Sequence, residues 1–102
     1  MLELRPNCEL CDRDLPPGAA AARICSYECT FCADCVEDVL SGICPNCGGN
    51  FVPRPIRPER AWRPTTGLVN DPPGSERRRA AYAPDEIRAF AASLRHLEPG
   101  ER

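Results

Sequence analysis

The chain has 102 residues, a formal net charge of −2 and 12 prolines against one tryptophan, two tyrosines and three phenylalanines, so it cannot bury the core of a large enzyme. No run approaches the ~20 consecutive apolar residues of a bilayer-spanning helix, which excludes a helical membrane protein. One small domain with a proline-rich tail is what this composition supports, and a deep substrate pocket is not expected in it.

The first segment, Met1-Leu2-Glu3-Leu4-Arg5-Pro6-Asn7, carries an acid and no apolar run, so it does not read as a secretory signal, and a reducing, cytoplasmic location is expected. All eight cysteines follow between positions 8 and 47 as four close pairs: Cys8 and Cys11, Cys25 and Cys29, Cys32 and Cys35, Cys44 and Cys47. The apolar residues available to a core here, Leu10, Leu15, Ile24, Phe31, Val36, Val39, Leu40, Ile43 and Phe51, are too few to offset the ordering entropy alone. A staple is required. Disulfides would serve in an oxidising compartment; in a reducing one, paired thiols are metal ligands or redox centres. Eight cysteines are the ligand count of two tetrahedral thiolate sites, and each structural zinc ion contributes roughly 10–16 kcal/mol of apparent binding energy coupled to folding. Two zinc ions are therefore the expected cofactors, with Cys8, Cys11, Cys25, Cys29, Cys32, Cys35, Cys44 and Cys47 as the metal ligands.

Along the chain, Asp12-Arg13-Asp14-Leu15-Pro16-Pro17-Gly18 reads as loop, and Arg23 to Phe31 as a small hairpin. One short helix is expected between Cys32 and Gly42, with Asp34 near its start, Val36, Val39 and Leu40 on one face and Gly42 as its stop. Gly48-Gly49 permits a turn after the last cysteine.

The spacing C-x2-C-x13-C-x3-C-x2-C-x2-C-x8-C-x2-C over residues 8–47, with the turn Cys44-Pro45-Asn46-Cys47, resembles the RING finger family. That resemblance implies a small zinc-stabilised α+β fold with cross-braced sites: Cys8, Cys11, Cys32 and Cys35 on one ion, and Cys25, Cys29, Cys44 and Cys47 on the other. The alternative is sequential pairing, as in two small zinc ribbons. Only two residues separate Cys29 from Cys32, which leaves no room for a boundary, so interleaving is favoured. Leu4-Arg5-Pro6-Asn7-Cys8, Asp12-Arg13-Asp14-Leu15-Pro16, Cys29-Thr30-Phe31-Cys32-Ala33-Asp34-Cys35, Cys44-Pro45-Asn46-Cys47-Gly48-Gly49 and Arg54-Pro55-Ile56-Arg57-Pro58 together resemble the bacterial domain-of-unknown-function family numbered 1272. This second resemblance covers about residues 1–58, supports zinc and implies no activity.

Residues 1–52 are thus read as the two-zinc module. Residues 1–50 hold three arginines against eight acids, a balance of −5, and eight thiolates on two zinc ions would take it to about −9, a surface that repels nucleic acid. Residues 53–83 read as a Pro/Arg-rich, irregular linker. Arg54, Arg57, Arg60 and Arg63 recur every third residue, so in a polyproline II helix all four would share one edge. That strip would stay solvated, fold back on the acidic module, or dock an acidic protein or nucleic acid, with Trp62 as a contact anchor. Residues 84–98 read as an amphipathic helix: Pro84, Asp85 and Glu86 suit its first turn, Ile87, Phe90, Ala91, Leu94 and Leu97 form its stripe, and Pro99-Gly100 ends it. The stripe docks on the module, pairs with another chain or receives a partner; His96 faces solvent.

The pattern contains no nucleophile with its base and no phosphate-binding loop, so the functional expectation is a noncatalytic adaptor for an unidentified protein partner, acting away from membranes. A thiol-based redox or metal-responsive regulator is a second reading. A ubiquitin-ligase-like activity, which the RING resemblance implies, is weakened at two positions: Glu9 follows Cys8 where an apolar residue is expected, and Gly48 follows Cys47 in place of a basic one.

Overall fold

The computed structural model describes residues 1–102. Its centre is a three-stranded antiparallel sheet in the order β2-β1-β3, formed by β1 (Ala22–Ile24), β2 (Thr30–Cys32) and β3 (Val52–Pro53). The hairpin expected over residues 23–31 is present, with Arg23 opposite Phe31 and Ile24 opposite Thr30. All three residues of β2 are buried, because the core packs on one face and the chain's own N-terminal turn covers the other. Val52–Pro53 pairs with the free side of β1 as an edge strand, where the missing N–H of Pro53 costs no ladder bond.

Helix α1 (Ala33–Asp38) starts directly from β2, with Cys32 in extended conformation as its N-cap residue and Asp34 in the first turn facing the positive helix end. It is shorter than the expected segment. Ser41 and Gly42 take φ of 52° and 72° and reverse the chain, which delivers Leu40 and Ile43 to the interior. The core joins Leu15, Ala22, Phe31 and Leu40 with five cysteines of the paired set and with Ile87 from the C-terminal helix. Phe51 packs edge-on against Phe31, ring centroids 5.5 Å apart.

Residues 53–83 contain no helix, yet they do not project as one charged edge. The four-arginine strip is corrected by the structure. The Arg54 side chain turns inward, is 4% exposed, and donates to the carbonyls of Arg5 (2.8 Å), Leu15 (3.2 Å) and Pro16 (2.9 Å). Arg57 bridges the carbonyls of Leu2 and Asp71, both at 2.8 Å. Arg60 and Arg63 point to solvent. A periodicity argument places residues on an edge only while the backbone keeps one conformation. Here buried carbonyls of an irregular N-terminal segment need donors, and that need decides the direction of Arg54 and Arg57.

Beyond a surface loop over residues 58–71, the chain returns along the N-terminal segment as a strap. Gly74 N–H donates to the Leu4 carbonyl at 2.9 Å and Ala80 N–H to the Glu9 carbonyl at 2.7 Å. Between them the buried Asn7 side chain pairs with the backbone of Arg78, donating to its carbonyl at 2.8 Å and accepting from its N–H at 3.2 Å. Arg77 sits on Asp12 and Asp14 at 3.1 and 2.7 Å, so the fold-back is partly electrostatic. Helix α2 (Pro84–Leu94) follows, with Ile87 and Ala91 buried; it ends before the expected residue 98, and Pro99–Glu101 forms a separate 3-10 turn. The stripe docks on its own module. Ile87 enters the core, while Leu94 and Phe90 lie over Gly48, and Arg102 donates to the Gly48 carbonyl at 2.9 Å.

Candidate metal centres

Two backbone turns of the same design carry the first and last cysteine pairs. In the first, Asp12 N–H donates to the Cys8 carbonyl (2.9 Å) and Cys8 N–H to the Arg13 carbonyl (2.8 Å). In the second, Gly48 N–H donates to the Cys44 carbonyl and Cys44 N–H to the Gly49 carbonyl, both at 2.8 Å. The residue after each pair must adopt positive φ, 66° at Asp12 and 78° at Gly48. Glycine does this freely and aspartate is among the few other residues that tolerate it. Glu28, φ 68°, makes the corresponding reversal between Cys25 and Cys29. Sequence reasoning missed Asp12 in this role; the signal is its position, one after a CxxC, where the other knuckle has glycine.

These turns, β2 and α1 bring the thiols together across the sequence. The Sγ atoms of Cys8, Cys11, Cys32 and Cys35 lie within 4.8 Å of one another, as do those of Cys25, Cys44 and Cys47. The first and third pairs therefore share one cluster, and the second and fourth contribute to the other, an interleaved grouping and not a sequential one. Cys29 stands outside the mutual 4.8 Å set of the second cluster, and its proton affinity responds to Cys44 and Cys25. All eight thiols are free of disulfides.

The spacing fits a tetrahedral metal. A Zn–S bond of about 2.3 Å sets the edge of an S4 tetrahedron at about 3.8 Å. Cys11 Sγ and Cys32 Sγ are 3.8 Å apart, far longer than an S–S bond. Backbone N–H groups point at the sulfurs as well, Tyr27 at Cys25 (3.3 Å) and Gly49 at Cys47 (3.4 Å), an arrangement that favours thiolates.

Burial and the crowding of sulfurs shift proton affinities in both clusters. Hydrogen bonding from the Cys44 thiol, against the opposing effect of burial, brings Cys29 down to about 5, helped by Asn46 and Cys25. Burial pushes Cys25 up to about 11. Cys44 is raised by that same bond to Cys29 and by burial. In the other cluster, burial works to raise Cys32, but the Cys35 N–H and the thiols of Cys35, Cys11 and Cys8 together leave it lowered. Burial and then hydrogen bonding to the Cys32 thiol raise Cys35, and burial raises Cys8. Positive charge among the sulfurs would oppose the rise at Cys8, Cys25, Cys35 and Cys44.

Glu9, placed between Cys8 and Cys11, is 4% exposed. Its carboxylate accepts from the Thr30 N–H at 2.5 Å and pairs with Arg5 at 3.0 Å, so it joins the first knuckle to β2 between the two clusters. Its charge marks it as a surface residue in sequence, and only the fold reveals its partners.

An uncharacterized protein of Rhizobium meliloti (strain 1021) is 55% identical over 84 residues, an alignment covering 79% of this chain and 100% of that relative. No solved structure matches the chain. Residues 1–57 match the family described as "Protein of unknown function (DUF1272)", and these residues contain every cysteine of both clusters, together with Glu9 and Arg54. With that match across more than half its length, the chain belongs to the DUF1272 family.

Proposed function

We propose that the chain is a noncatalytic, RING-like two-zinc module that serves as a cytoplasmic protein-interaction adaptor. The observation that carries the metal reading is the interleaved clustering of cysteines with a sulfur spacing suited to zinc. Cys8, Cys11, Cys32 and Cys35 would hold one ion, and Cys25, Cys29, Cys44 and Cys47 the other, Cys29 closing on its cluster. Four thiolates leave zinc no open position, so the ions would close the fold and supply no Lewis-acid chemistry. An adaptor would have exposed apolar side chains of this scaffold to offer a partner, among them Tyr27 (72% exposed), Trp62 (71%) and Val69 (71%). The burial of Glu9 speaks against a ligase-type groove, since the position after the first cysteine presents nothing apolar to a carrier enzyme.

Native followed by denaturing mass spectrometry of the reduced protein tests the metal reading. Two zinc ions released together on acidification are expected; a metal-free chain lighter by about 2 Da per cysteine pair would replace it with a disulfide scaffold. The adaptor reading requires a protein partner held by the zinc-loaded chain and released by chelation.

A second reading, a thiol-based responder, is favoured by one observation: each cluster has an exposed member, Cys11 and Cys47. Peroxide would oxidise two thiolates to a disulfide, itself reduced to water, with loss of zinc. Retention of both ions in millimolar peroxide would eliminate this reading.

A further inference from the structure

The first two turns of α2 do not close fully on the second knuckle. They leave a cleft of ≈ 270 Å³ lined by Pro45, Asn46, Tyr82, Glu86, Ile87 and Phe90. Pro45 and Ile87 are buried and form its apolar base. At its mouth stand Tyr82, 48% exposed, and Phe90, 37% exposed. Glu86 and Phe90 are one helical turn apart and share a face of α2. None of the chain's seven ion pairs involves Glu86. Two aromatic rings and an unpaired carboxylate thus border one small opening.

That lining selects a cation. Ring faces attract ammonium and guanidinium groups through their quadrupoles, and the carboxylate adds a full opposite charge. The carboxylate of Glu86 is the charge that sets this preference, since Glu3, Glu9, Asp12, Asp14 and Asp34 of the module are already paired with arginines. The walls are also held in place before any ligand arrives. Ala80, two residues before Tyr82, is bonded to the Glu9 carbonyl at 2.7 Å; Ile87 is 1% exposed in the core; and the knuckle bearing Pro45 and Asn46 is closed by the Gly48 to Cys44 bond at 2.8 Å. The volume falls below the about 300–1,000 Å³ usual for sites that enclose a free small molecule, and it suits one long side chain entering from outside.

We infer that this cleft receives the arginine or lysine side chain of a basic peptide segment in a protein partner. The inference rests on the adaptor reading and gives that partner a chemistry.

The test uses the zinc-loaded full chain, uniformly labelled with nitrogen-15, titrated with a blocked five-residue peptide of alanines around one central arginine. Saturable shifts of the Asn46 and Tyr82 resonances are expected, with none from the same peptide carrying neutral citrulline. Tyr82→Leu and Glu86→Gln should each weaken binding about fivefold or more, while Tyr82→Phe, which keeps the ring, should retain it. No saturable shift, equal shifts from citrulline, or indifference to Tyr82→Leu and Glu86→Gln would overturn the assignment. Tyr82 and Glu86 are exposed, and amide dispersion of each variant verifies its fold. Failure of the peptide alongside a partner that chelation still releases would sink the cleft assignment alone. Peptide binding without any zinc-dependent partner would sink the adaptor reading alone.

Discussion

Thr30 donates its backbone N–H to the Glu9 carboxylate at 2.5 Å and accepts the Glu9 N–H on its own carbonyl at 2.9 Å. This two-way link fixes the first knuckle against β2, the strand that joins Cys29 of one cluster to Cys32 of the other. Arg5, 13% exposed in its side chain, completes it through an ion pair at 3.0 Å. Glu9→Ala leaves the Thr30 N–H and one side of Arg5 without their acceptor and should cost about 3 kcal/mol. Glu9→Gln keeps an acceptor and should cost roughly 1–2 kcal/mol. Urea unfolding of the zinc-loaded protein measures both; equal stability of the alanine variant and the parent would show that the link is dispensable.

Shared dependence of the clusters has its own signature. Because β2 carries Cys32 directly after Cys29, Thr30 and Phe31, loss of one site should loosen the other. Cys32→Ser is expected to yield chains with no zinc rather than one, counted by native mass spectrometry. A stable one-zinc species would mean that the sites fold independently.

Charge holds the strap at neutral pH. Arg77 pairs with Asp12 and Asp14, and Arg78 with Glu3 at 3.4 Å, all at partly exposed positions that salt screens. Raising salt to about 1 M should therefore speed hydrogen exchange at Ala80 while zinc content stays constant. Hydrogen bonding to Arg5, with Arg78 assisting, holds the Glu3 carboxyl below its ordinary value of 4.5. A lowered carboxyl contributes stability that is fully present above the ordinary value and is lost as pH falls through the lowered one. Neutralising it by Glu3→Gln at pH 7 should reproduce that loss without acid and speed exchange at Gly74 and Ala80.

Docking of α2 depends on one side chain more than any other. Ile87 is 1% exposed and is the only α2 residue in the main core cluster. Ile87→Ala should cost about 2–5 kcal/mol and release the helix to protease, with both zinc ions retained. Unchanged protease resistance after residue 83 would show that Ala91 and Leu94 suffice.

Gly67 is a case where space and backbone agree. Its φ is 81°, and an added Cβ would lie 2.4 Å from the Arg60 carbonyl oxygen. Gly67→Ala should disrupt the 58–71 loop at a local cost of about 1–3 kcal/mol, visible as faster exchange at Leu68 and Asp71 and silent in the metal count. Gly48 is different: its added Cβ would meet Leu94 and Phe90 at ordinary contact distances of 3.5 and 3.8 Å, so only its φ of 78° resists substitution.

What could be read from the sequence were features set by local chemistry. Cysteine spacing is covalent and shows itself directly, Gly42 takes the positive φ of a chain reversal although α1 already ends at Asp38, and Pro84, Asp85 and Glu86 mark the start of α2. Features decided by distant partners were not readable. Arg54 is one arginine among thirteen basic residues until the carbonyls of Arg5, Leu15 and Pro16 are placed beside it. Glu9 and Asn7 look like polar loop residues because their partners, Thr30 and Arg78, lie 21 and 71 positions away. The stripe of α2 announced an apolar face without saying what covers it; Phe90 and Leu94 lie against the turn at Gly48.

Interleaved clusters also change what a broken backbone would do. A cut at the exposed Arg13 separates Cys8 and Cys11 from Cys32 and Cys35, which belong to the same cluster; a cut after the exposed Asp38 separates Cys25 from Cys44 and Cys47. With a metal ion in each cluster, every such pair of fragments stays joined through sulfur. A nicked chain would run as one particle in solution and come apart only when its metal is withdrawn, so the metal would act as a second, reversible main chain.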